Sequence, residues 1–353
     1  MSHFRVGYML LSLVLGAATS LRTQAVRGQV LGQLNLQPVA GALVFLLDDG
    51  GHEADRTPTN GSGNFLLRAQ RPGEYSLLVL RIGYQKWQSP AFRLAAADTM
   101  EYRAEVLENP VELPVVSIEA QRQCRIAPEG GAVIAALWGE ARKALILTDL
   151  TREQSSFQFR IVRATRRLNQ DLVPVEEATD TSVVTTFQPF ASLPVESLVV
   201  TGFVRDSGGV AIYYGPDVAV LFSDAFLQRH CFRARLSRRT DPGLVGLAFE
   251  PTRGATVPDI AGVLWLDRQT AALKYLEYQY TNLEPELGDR AGGRVEFLEL
   301  PSGAWIVRQW RIETPIPLRG PSGWIRTGRP SGYRIHERRV LEVLTADGRS
   351  VLR

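Results

Sequence analysis

Apolar and polar positions alternate most regularly between Thr59 and Tyr84. A polar, glycine-rich turn is followed by two short segments, which a Pro-Gly turn separates. The apolar positions that share a face within each segment are Phe65 and Leu67 in the first, and Tyr75, Leu77 and Val79 in the second. Because side chains alternate along a strand, this pattern predicts a β-hairpin.

The segments around this hairpin extend the strand-and-turn pattern from residue 26 to residue 107. Residues 42–47 form a continuous apolar run, which predicts a strand that is buried on both faces. Near the end of the unit, Met100, Tyr102, Ala104 and Val106 alternate with charged residues, as in a half-buried strand. Strands at this spacing, with no helix between them, predict a small β-sandwich.

A proline-containing stretch, residues 108–123, separates this first unit from the rest of the chain. Pro110 and Pro114 rule out a regular helix there, so we interpret the stretch as a linker. The second domain then comprises residues 124–353. It opens with a long helix, predicted at residues 131–148, whose apolar face should pack on a sheet. The positions on that face are Ile134, Leu137, Trp138, Ala141 and Leu145.

Two long hairpins dominate the second domain. The first has arms at residues 260–266 and 273–281, and the second has arms at residues 294–300 and 304–312. A short helix is expected around residues 224–230. The whole chain is therefore predicted to be mainly β, with a larger antiparallel β domain after the sandwich. A half-barrel with the long helix across its concave side would fit, and in element order it is similar to the periplasmic lipoprotein-carrier fold.

Five short motifs stand at turns and strand ends of the first unit. They are Gly28-Gln29-Val30, Pro38-Val39-Ala40-Gly41-Ala42, Thr59-Asn60-Gly61-Ser62-Gly63-Asn64-Phe65, Pro72-Gly73-Glu74-Tyr75-Ser76-Leu77 and Ile82-Gly83-Tyr84. Together they resemble the carboxypeptidase regulatory-like domain. The resemblance implies a transthyretin-like fold, a seven-stranded Greek-key sandwich.

Domains of this family occur beside metallocarboxypeptidases, at the front of TonB-dependent outer-membrane transporters and in many exported bacterial proteins. They are often grouped with carbohydrate-binding-like sandwiches. The second domain looks like the uncharacterised carboxyl-terminal portion that accompanies such domains in exported bacterial proteins. A likeness at the level of the fold does not carry an activity with it.

Residues 1–25 have the three-part pattern of a secretory signal peptide. Arg5 supplies the positive start, residues 6–18 are apolar, and small residues precede a cleavage site after Ala25. A buried helix or a membrane anchor is the alternative, but an anchor needs about 20 apolar residues, more than this run holds. We therefore expect an exported mature chain without a transmembrane segment, in the periplasm, at the outer membrane or outside the cell.

Export also bears on the two cysteines, Cys124 and Cys231. Paired thiols persist in an oxidising compartment, so we expect a disulfide, with two separate buried thiols as the alternative. The full chain has 40 basic and 37 acidic residues, a formal net charge of +3. The near balance argues against nucleic-acid binding, which depends on a concentrated basic surface.

The sequence gives little support to any known catalytic arrangement. None of His52, His230 and His336 has a partner at the spacing of a zinc site. The residues 206–209, Asp-Ser-Gly-Gly, resemble the nucleophile motif of chymotrypsin-like proteases but are also ordinary turn chemistry. Ser223 lies seven residues before His230, too far along a helix for proton transfer, and is interpreted as a helix N-cap. We predict no catalytic residue, no metal site and no cofactor.

Paired carboxylates, as in glycosidases, are the remaining catalytic pattern. Asp267, Glu277, Glu296 and Glu299 fall on strands or turns of the predicted sheet. Charged residues are rarely buried without a partner, so we expect these four on a solvated outer face.

Aromatic residues of the second domain are the best candidates for a ligand-facing surface, although core packing explains most of them better. They are Trp265, Tyr278, Tyr280, Trp305 and Trp310. The leading hypothesis is a non-enzymatic exported cell-envelope protein with a binding or assembly role, whose partner is an unidentified envelope protein or a glycan. The alternatives are a carbohydrate-binding sandwich, a periplasmic carrier of hydrophobic ligands and, last, a hydrolase.

Overall fold

The structure is a computed structural model. It describes residues 24–108, 124, 131–154, 157–186, 189–207, 210–237, 242–283, 290–317, 319–320, 323–324 and 330–352. The first 23 residues of the predicted signal peptide and nearly all of the predicted linker lie outside these ranges. The first strand begins at Gln24, so cleavage after Ala25 would remove its first two residues.

Eight strands form the first unit. They are β1 (Gln24–Gly32), β2 (Leu43–Asp48), β3 (Glu53–Pro58), β4 (Asn64–Ala69), β5 (Gly73–Leu80), β6 (Trp87–Gln88), β7 (Phe92–Leu94) and β8 (Thr99–Val106). One sheet has the order β4-β1-β8, with β1 and β8 parallel, and the other has the order β3-β2-β5-β6. Both β6 and β7 pair with β5, so two short strands share the edge position beside β5.

The hairpin predicted between Thr59 and Tyr84 is wrong in its pairing, although both of its strands exist. β4 pairs with β1, whereas β5 pairs with β2 in the other sheet. Phe65 and Leu67 on β4 and Leu77 on β5 belong to one buried core, which they reach from opposite sheets. Alternation identifies the buried face of a strand, and that face is the same for a hairpin and for an arch between two sheets.

Four helices follow in the residues that the structure describes, namely α1 (Ala132–Glu153), α2 (Val195–Thr201), α3 (Val218–Leu221) and α4 (Asp224–Arg229). α1 is five residues longer than predicted at its carboxyl end, and α4 matches the predicted short helix. α2 and α3 were not predicted. No helix in the described part of the chain is both long and apolar enough to cross a membrane.

The remaining strands build one large sheet and two small hairpins. They are β9 (Phe157–Leu168), β10 (Pro174–Thr186), β11 (Val204–Asp206), β12 (Ala211–Tyr213), β13 (His230–Leu236), β14 (Leu244–Pro251), β15 (Asp259–Asp267), β16 (Leu273–Thr281), β17 (Gly292–Glu299), β18 (Trp305–Ile316), β19 (Arg319–Gly320), β20 (Gly323–Trp324), β21 (Gly332–Thr345) and β22 (Ser350–Leu352). The large sheet is antiparallel with the order β10-β9-β21-β18-β17-β16-β15-β14-β13, and β22 pairs with β21. Both predicted long hairpins, β15–β16 and β17–β18, are present.

The large sheet has two different faces. On one, here called the helix face, Leu247, Leu264 and Leu276 share a core with α1. On the other, here called the groove face, Ala248 and Trp265 belong to a separate small cluster. The alternation along each strand therefore divides the second domain into a helix-covered side and a side that α1 does not cover.

Both faces of β2 are buried, as its continuous apolar sequence predicted. Val44 and Leu46 face the core of the sandwich, whereas Leu43 and Phe45 join the core around α1. α1 therefore lies between the sandwich and the large sheet, and the two domains share one apolar core.

A buried ion pair accompanies this apolar contact. Lys143 Nζ donates to Glu140 Oε1 at 2.7 Å, and the two side chains are 10% and 11% exposed. Lys143 also donates to the carbonyl oxygens of Arg81 and Tyr84, and the amide of Gly83 donates to Glu140. The loop that carries the Ile82-Gly83-Tyr84 motif is thus bonded directly to α1. At its edge, Arg81 pairs with Glu299 on β17 at 2.6 Å.

We predict that Lys143→Met destabilises the chain by about 3 kcal/mol, because it leaves the charge of Glu140 buried without its partner. The double variant Glu140→Leu/Lys143→Met removes both charges and should recover part of that loss. Urea unfolding of the full chain measures both effects. Lys274→Met, at a half-exposed pair with Asp267, is the control, and equal stability of the two lysine variants would contradict the prediction.

A disulfide joins Cys124 to Cys231 at the start of β13, as expected from the sequence. The two residues are 107 positions apart, so the bond closes a loop that includes α1 and the β9–β10 hairpin. A crosslink that closes a loop of this length stabilises the folded state by about 4–5 kcal/mol, because it lowers the conformational entropy of the unfolded chain. The bond ties the entry of the second domain to β13, an edge strand of its sheet.

Candidate ligand-binding groove

An open groove of about 870 Å³ runs along the groove face of the large sheet. Strands β13 to β18 contribute to its walls, so it spans about 24 Å at the usual spacing between strands. The charged side chains that line it are Arg233, Arg235, Arg290, Arg294 and Arg311, with Glu250, Glu277 and Glu313. The excess of arginine over glutamate gives this part of the surface a net positive charge.

The floor of the groove is a preorganised cluster of aromatic and charged side chains. Trp265 and Tyr275 are cross-strand partners, and their ring centres are 6.3 Å apart. The Arg294 guanidinium lies 3.6 Å from the ring centre of Tyr275 and donates to Glu277 at 3.0 Å and to Glu296 at 2.8 Å. Trp265 Nε1 donates to the same Glu277. These contacts hold the floor side chains in fixed positions before any ligand arrives.

The arginines around the floor fall into two groups. Arg290 and Arg311 both pair with Glu313, at 3.3 and 2.8 Å. Arg233 and Arg235 are exposed on β13, and neither has a carboxylate partner among the residues described. Because guanidinium groups bind carboxylates and phosphates through paired hydrogen bonds, the second group is free to contact a negatively charged ligand.

Of the five aromatic candidates, Trp265 contributes its side chain to the groove floor, where it is 7% exposed. Tyr278 and Tyr280 are buried on the helix face with Tyr213, and their ring centres are 5.6 Å apart. Tyr278 also borders the groove, and its phenol occupies the space that a Cβ at Gly293 would need. The structure therefore brings these tyrosines together as core.

Trp305 and Trp310 line a small apolar cavity at the other end of the helix face. Its volume is about 50 Å³, and Phe159, Phe190 and Val295 complete much of its wall. That volume holds a few water molecules, whereas a site for a bulky apolar ligand needs several hundred Å³. This cavity gives no support to the hypothesis of a hydrophobic-ligand carrier.

The residues that suggested a hydrolase have structural roles. Ser223 Oγ accepts from the Phe226 amide and so caps α4, as predicted. His230 is 1% exposed, and its ring nitrogens lie 2.8 Å from the Phe226 carbonyl oxygen and 3.1 Å from that of Ile260. Asp259 lies 3.4 Å from the same ring, so a His–Asp pair does exist, but it is sealed in the core.

The four acids considered as a glycosidase pair are more involved in ion pairs than we expected from the sequence. Glu277 and Glu296 flank Arg294, Glu299 pairs with Arg81, and Asp267 accepts from the amides of Gln269 and Thr270 in the β15–β16 turn. Within the described ranges, no group of three or more metal-ligating side chains comes together.

Sequence reasoning missed the arginines and glycines of the groove. The signal was present in the alternation of β13 and β17, where Arg233, Arg235 and Arg294 occupy the positions opposite to the apolar ones. The open face becomes recognisable only when the strands are placed side by side.

The architecture defines a class: a mainly-β protein in which a small sandwich is joined to a large antiparallel sheet. Residues 25–106 match the family described as the carboxypeptidase regulatory-like domain. The first domain of this chain is a domain of that family, as its motifs indicated. No curated protein matches the chain.

Several solved structures show partial likeness. A minor pilin of Streptococcus agalactiae is 19% identical over 27% of this chain, with a TM-score of 0.23, and the chain spans about half (47%) of the pilin's length. The 5-hydroxyisourate hydrolase of Klebsiella pneumoniae is 15% identical over 24% of this chain and 86% of its own, with a TM-score of 0.21. A putative carbohydrate binding protein of Bacteroides uniformis is 8% identical over 69% of this chain and 98% of its own, with a TM-score of 0.20. Likeness at this level carries no argument about function.

The buried tyrosines generate a prediction about alkaline stability. Burial raises the pKa of Tyr213 to about 12 and raises the pKa values of Tyr278 and Tyr280 further. Tyrosines of the unfolded chain titrate near pH 10. Their contribution to stability is therefore complete below about pH 10 and is lost as the pH rises through the folded-state pKa values.

We expect these tyrosines to ionise together with unfolding rather than before it. Phenolate absorbance and circular dichroism, followed on one sample above pH 10, should show a shared transition. Tyr213→Phe should move that transition to higher pH. Full phenolate absorbance from a chain that is still folded would contradict the prediction.

Proposed function

We propose that this chain is an exported, non-enzymatic cell-envelope protein whose groove binds an extended ligand that carries negative charge, the chemistry of an acidic glycan. The observation that carries the proposal is the pair of exposed arginines, Arg233 and Arg235, beside the ordered floor of Trp265 and Glu277. Unpaired cations at a fixed site are the expected complement of carboxylate groups on a ligand.

The other polar side chains of the groove suit a ligand that is rich in hydroxyl groups. The lining provides donors from Arg290 and Arg311 and acceptors from Glu250, Glu313 and Gln279. A sugar hydroxyl both donates and accepts, so it can use both kinds of group. The groove is open rather than enclosed and crosses six strands, which suits a polymer that passes over the surface better than a small molecule.

Export is supported by the signal pattern and by the disulfide between Cys124 and Cys231, since such bonds persist mainly in oxidising compartments. The proposal of a non-enzymatic role is supported by the hydrogen bonds of Ser223 and His230, because both side chains bond to the protein backbone. The name of the domain family also describes a regulatory-like rather than a catalytic type.

A second candidate site lies on the sandwich. Tyr102 is half-buried, with ring centres 5.9 Å from Trp87 and 5.7 Å from Phe92, and it borders an open depression of about 490 Å³. Arg27 and Glu101 pair beside it. Partly exposed aromatic rings on a sandwich edge are a second place where a sugar could stack.

Calorimetric titration of the full chain with acidic oligogalacturonate and with neutral cello-oligosaccharide tests the proposal. We expect binding of the acidic ligand alone, and a loss of about tenfold or more in Arg233→Gln/Arg235→Gln, because each charge-assisted hydrogen bond contributes about 1.5–3 kcal/mol. Arg68→Gln/Arg71→Gln, an equal change of charge at exposed sandwich positions, is the control.

Three outcomes would overturn the assignment to the groove. One is equal affinity for the acidic and neutral ligands, and another is an unchanged affinity in the groove variant. The third is a loss of binding in Tyr102→Ala alone, which would transfer the site to the sandwich. Release of shorter oligosaccharides during incubation would refute the non-enzymatic role.

A further inference from the structure

A second concentration of arginine lies at the far end of the large sheet, away from the groove. Arg163 and Arg167 on β9 stand opposite Arg338 and Arg334 on β21, in the same register that pairs Thr165 with His336. We call these four residues the arginine stripe. Because partners in register share a face, the stripe lies on the helix face, next to Trp310, the partner of Arg338 on β18.

The helix does not cover this end of the sheet in the way it covers the centre. α1 packs mainly on β18 and on β13 to β16, and all four side chains of the stripe are exposed. The stripe rises about 13 Å along the strands, from the Arg163 level to the Arg167 level. It is therefore a continuous, accessible cationic surface.

None of the four arginines of the stripe has a carboxylate partner among the described residues. On the opposite face of the same strands, Arg160 pairs with Glu342, and Arg166 pairs with Glu177 and Glu337. The ladder does place Glu176 beside Arg167 and Asp180 beside Arg163. Even with both of these acids counted, the four arginines leave an excess of positive charge.

Burial and neighbouring like charges both act on the titratable groups of the stripe. The pKa of His336 is lowered by burial and by the charges of Arg334 and Arg338. The pKa of Arg338 is lowered by burial and by Arg163. Like charges that outnumber the acids beside them are stabilised when an anionic partner arrives.

Exposed aliphatic side chains stand at the end of the stripe. We call residues 169–175, the turn from β9 into β10, the hairpin tip. Leu172, Val173 and Val175 of the tip are 36%, 53% and 57% exposed. Asn169 Oδ1 accepts from the amides of Asp171 and Val173, which fixes the turn, and Leu172 has a positive φ of 64°.

We propose that this end of the sheet docks on an anionic lipid surface, with the hairpin tip among the headgroups and the arginine stripe against their phosphates. A soluble polyanion would engage the arginines but would gain nothing from three exposed aliphatic side chains. A lipid surface would contact both the arginines and the aliphatic side chains, since apolar insertion and attraction to anionic headgroups both contribute to membrane affinity. This surface is separate from the groove and does not depend on the ligand proposed there.

Flotation of the full chain with vesicles tests the proposal. We expect binding to phosphatidylcholine vesicles that contain phosphatidylglycerol and little binding to phosphatidylcholine alone. Arg334→Gln/Arg338→Gln should weaken binding roughly 25-fold, because each arginine near an anionic surface contributes about a factor of five. Arg68→Gln/Arg71→Gln has the same charge change on the sandwich and should bind as the unmodified chain does.

The aliphatic contribution has its own pair of variants. Leu172→Asn/Val173→Thr introduces polar residues that tolerate the local backbone conformation. It should weaken vesicle binding roughly tenfold, because the apolar insertion is lost. Val200→Thr, at an exposed valine on α2, is the control and should have no effect. Circular dichroism of each variant excludes loss of fold as the cause.

Equal binding to both kinds of vesicle would overturn the proposal. So would an equal loss in the stripe variant and in the sandwich control. If dextran sulfate binds the stripe while Leu172→Asn/Val173→Thr leaves vesicle binding unchanged, the site is for a soluble polyanion instead. Arg233→Gln/Arg235→Gln should keep full vesicle binding, so failure of the groove proposal and failure of this one can be distinguished.

Discussion

The contact on which the rest of the structure depends is the burial of α1 between the sandwich and the large sheet. Leu43 and Phe45 extend the core around α1 into the first domain, and Lys143 bonds to the carbonyl oxygens of Arg81 and Tyr84. A buried charge is tolerated only when its hydrogen bonds are made, so the Lys143–Glu140 pair fixes the orientation of the sandwich as well as its attachment. The regulatory-like domain is consequently a packed part of the molecule and not a tethered module.

This packing restricts where the protein can meet a ligand. The face of the β3-β2-β5-β6 sheet that carries Leu43 and Phe45 is occupied by α1. Among the described surfaces, those that stay open include the groove face of the large sheet, the sandwich edge around Tyr102 and the far end of β9 and β21. On these surfaces the arginines divide into paired ones, such as Arg294, which fix the structure, and unpaired ones, such as Arg235 and Arg338, which are available to a partner.

The sequence predicted the mainly β class, the boundaries of β15 to β18 within a few residues, and α1, because each has a long and regular period. It also predicted the two-sided burial of β2, since a continuous apolar run needs cover on both faces. It could not predict that β4 and β5 enter different sheets, because Phe65 and Leu77 face the same core in either arrangement. Nor could it separate Trp265 from Tyr278, because assigning a face to each requires the register between strands.

Alternation also explains how one sheet can present two surfaces that do not interfere. On β18, Arg311 borders the groove, whereas its neighbour Trp310 lies beneath Arg338 on the helix face. Successive residues of a strand point to opposite sides, so β18 borders the groove with Arg311 and supports Arg338 of the arginine stripe with Trp310. A chain docked through the stripe and the hairpin tip would therefore keep its groove accessible, and a ligand in the groove would leave the charges that face the lipid unchanged.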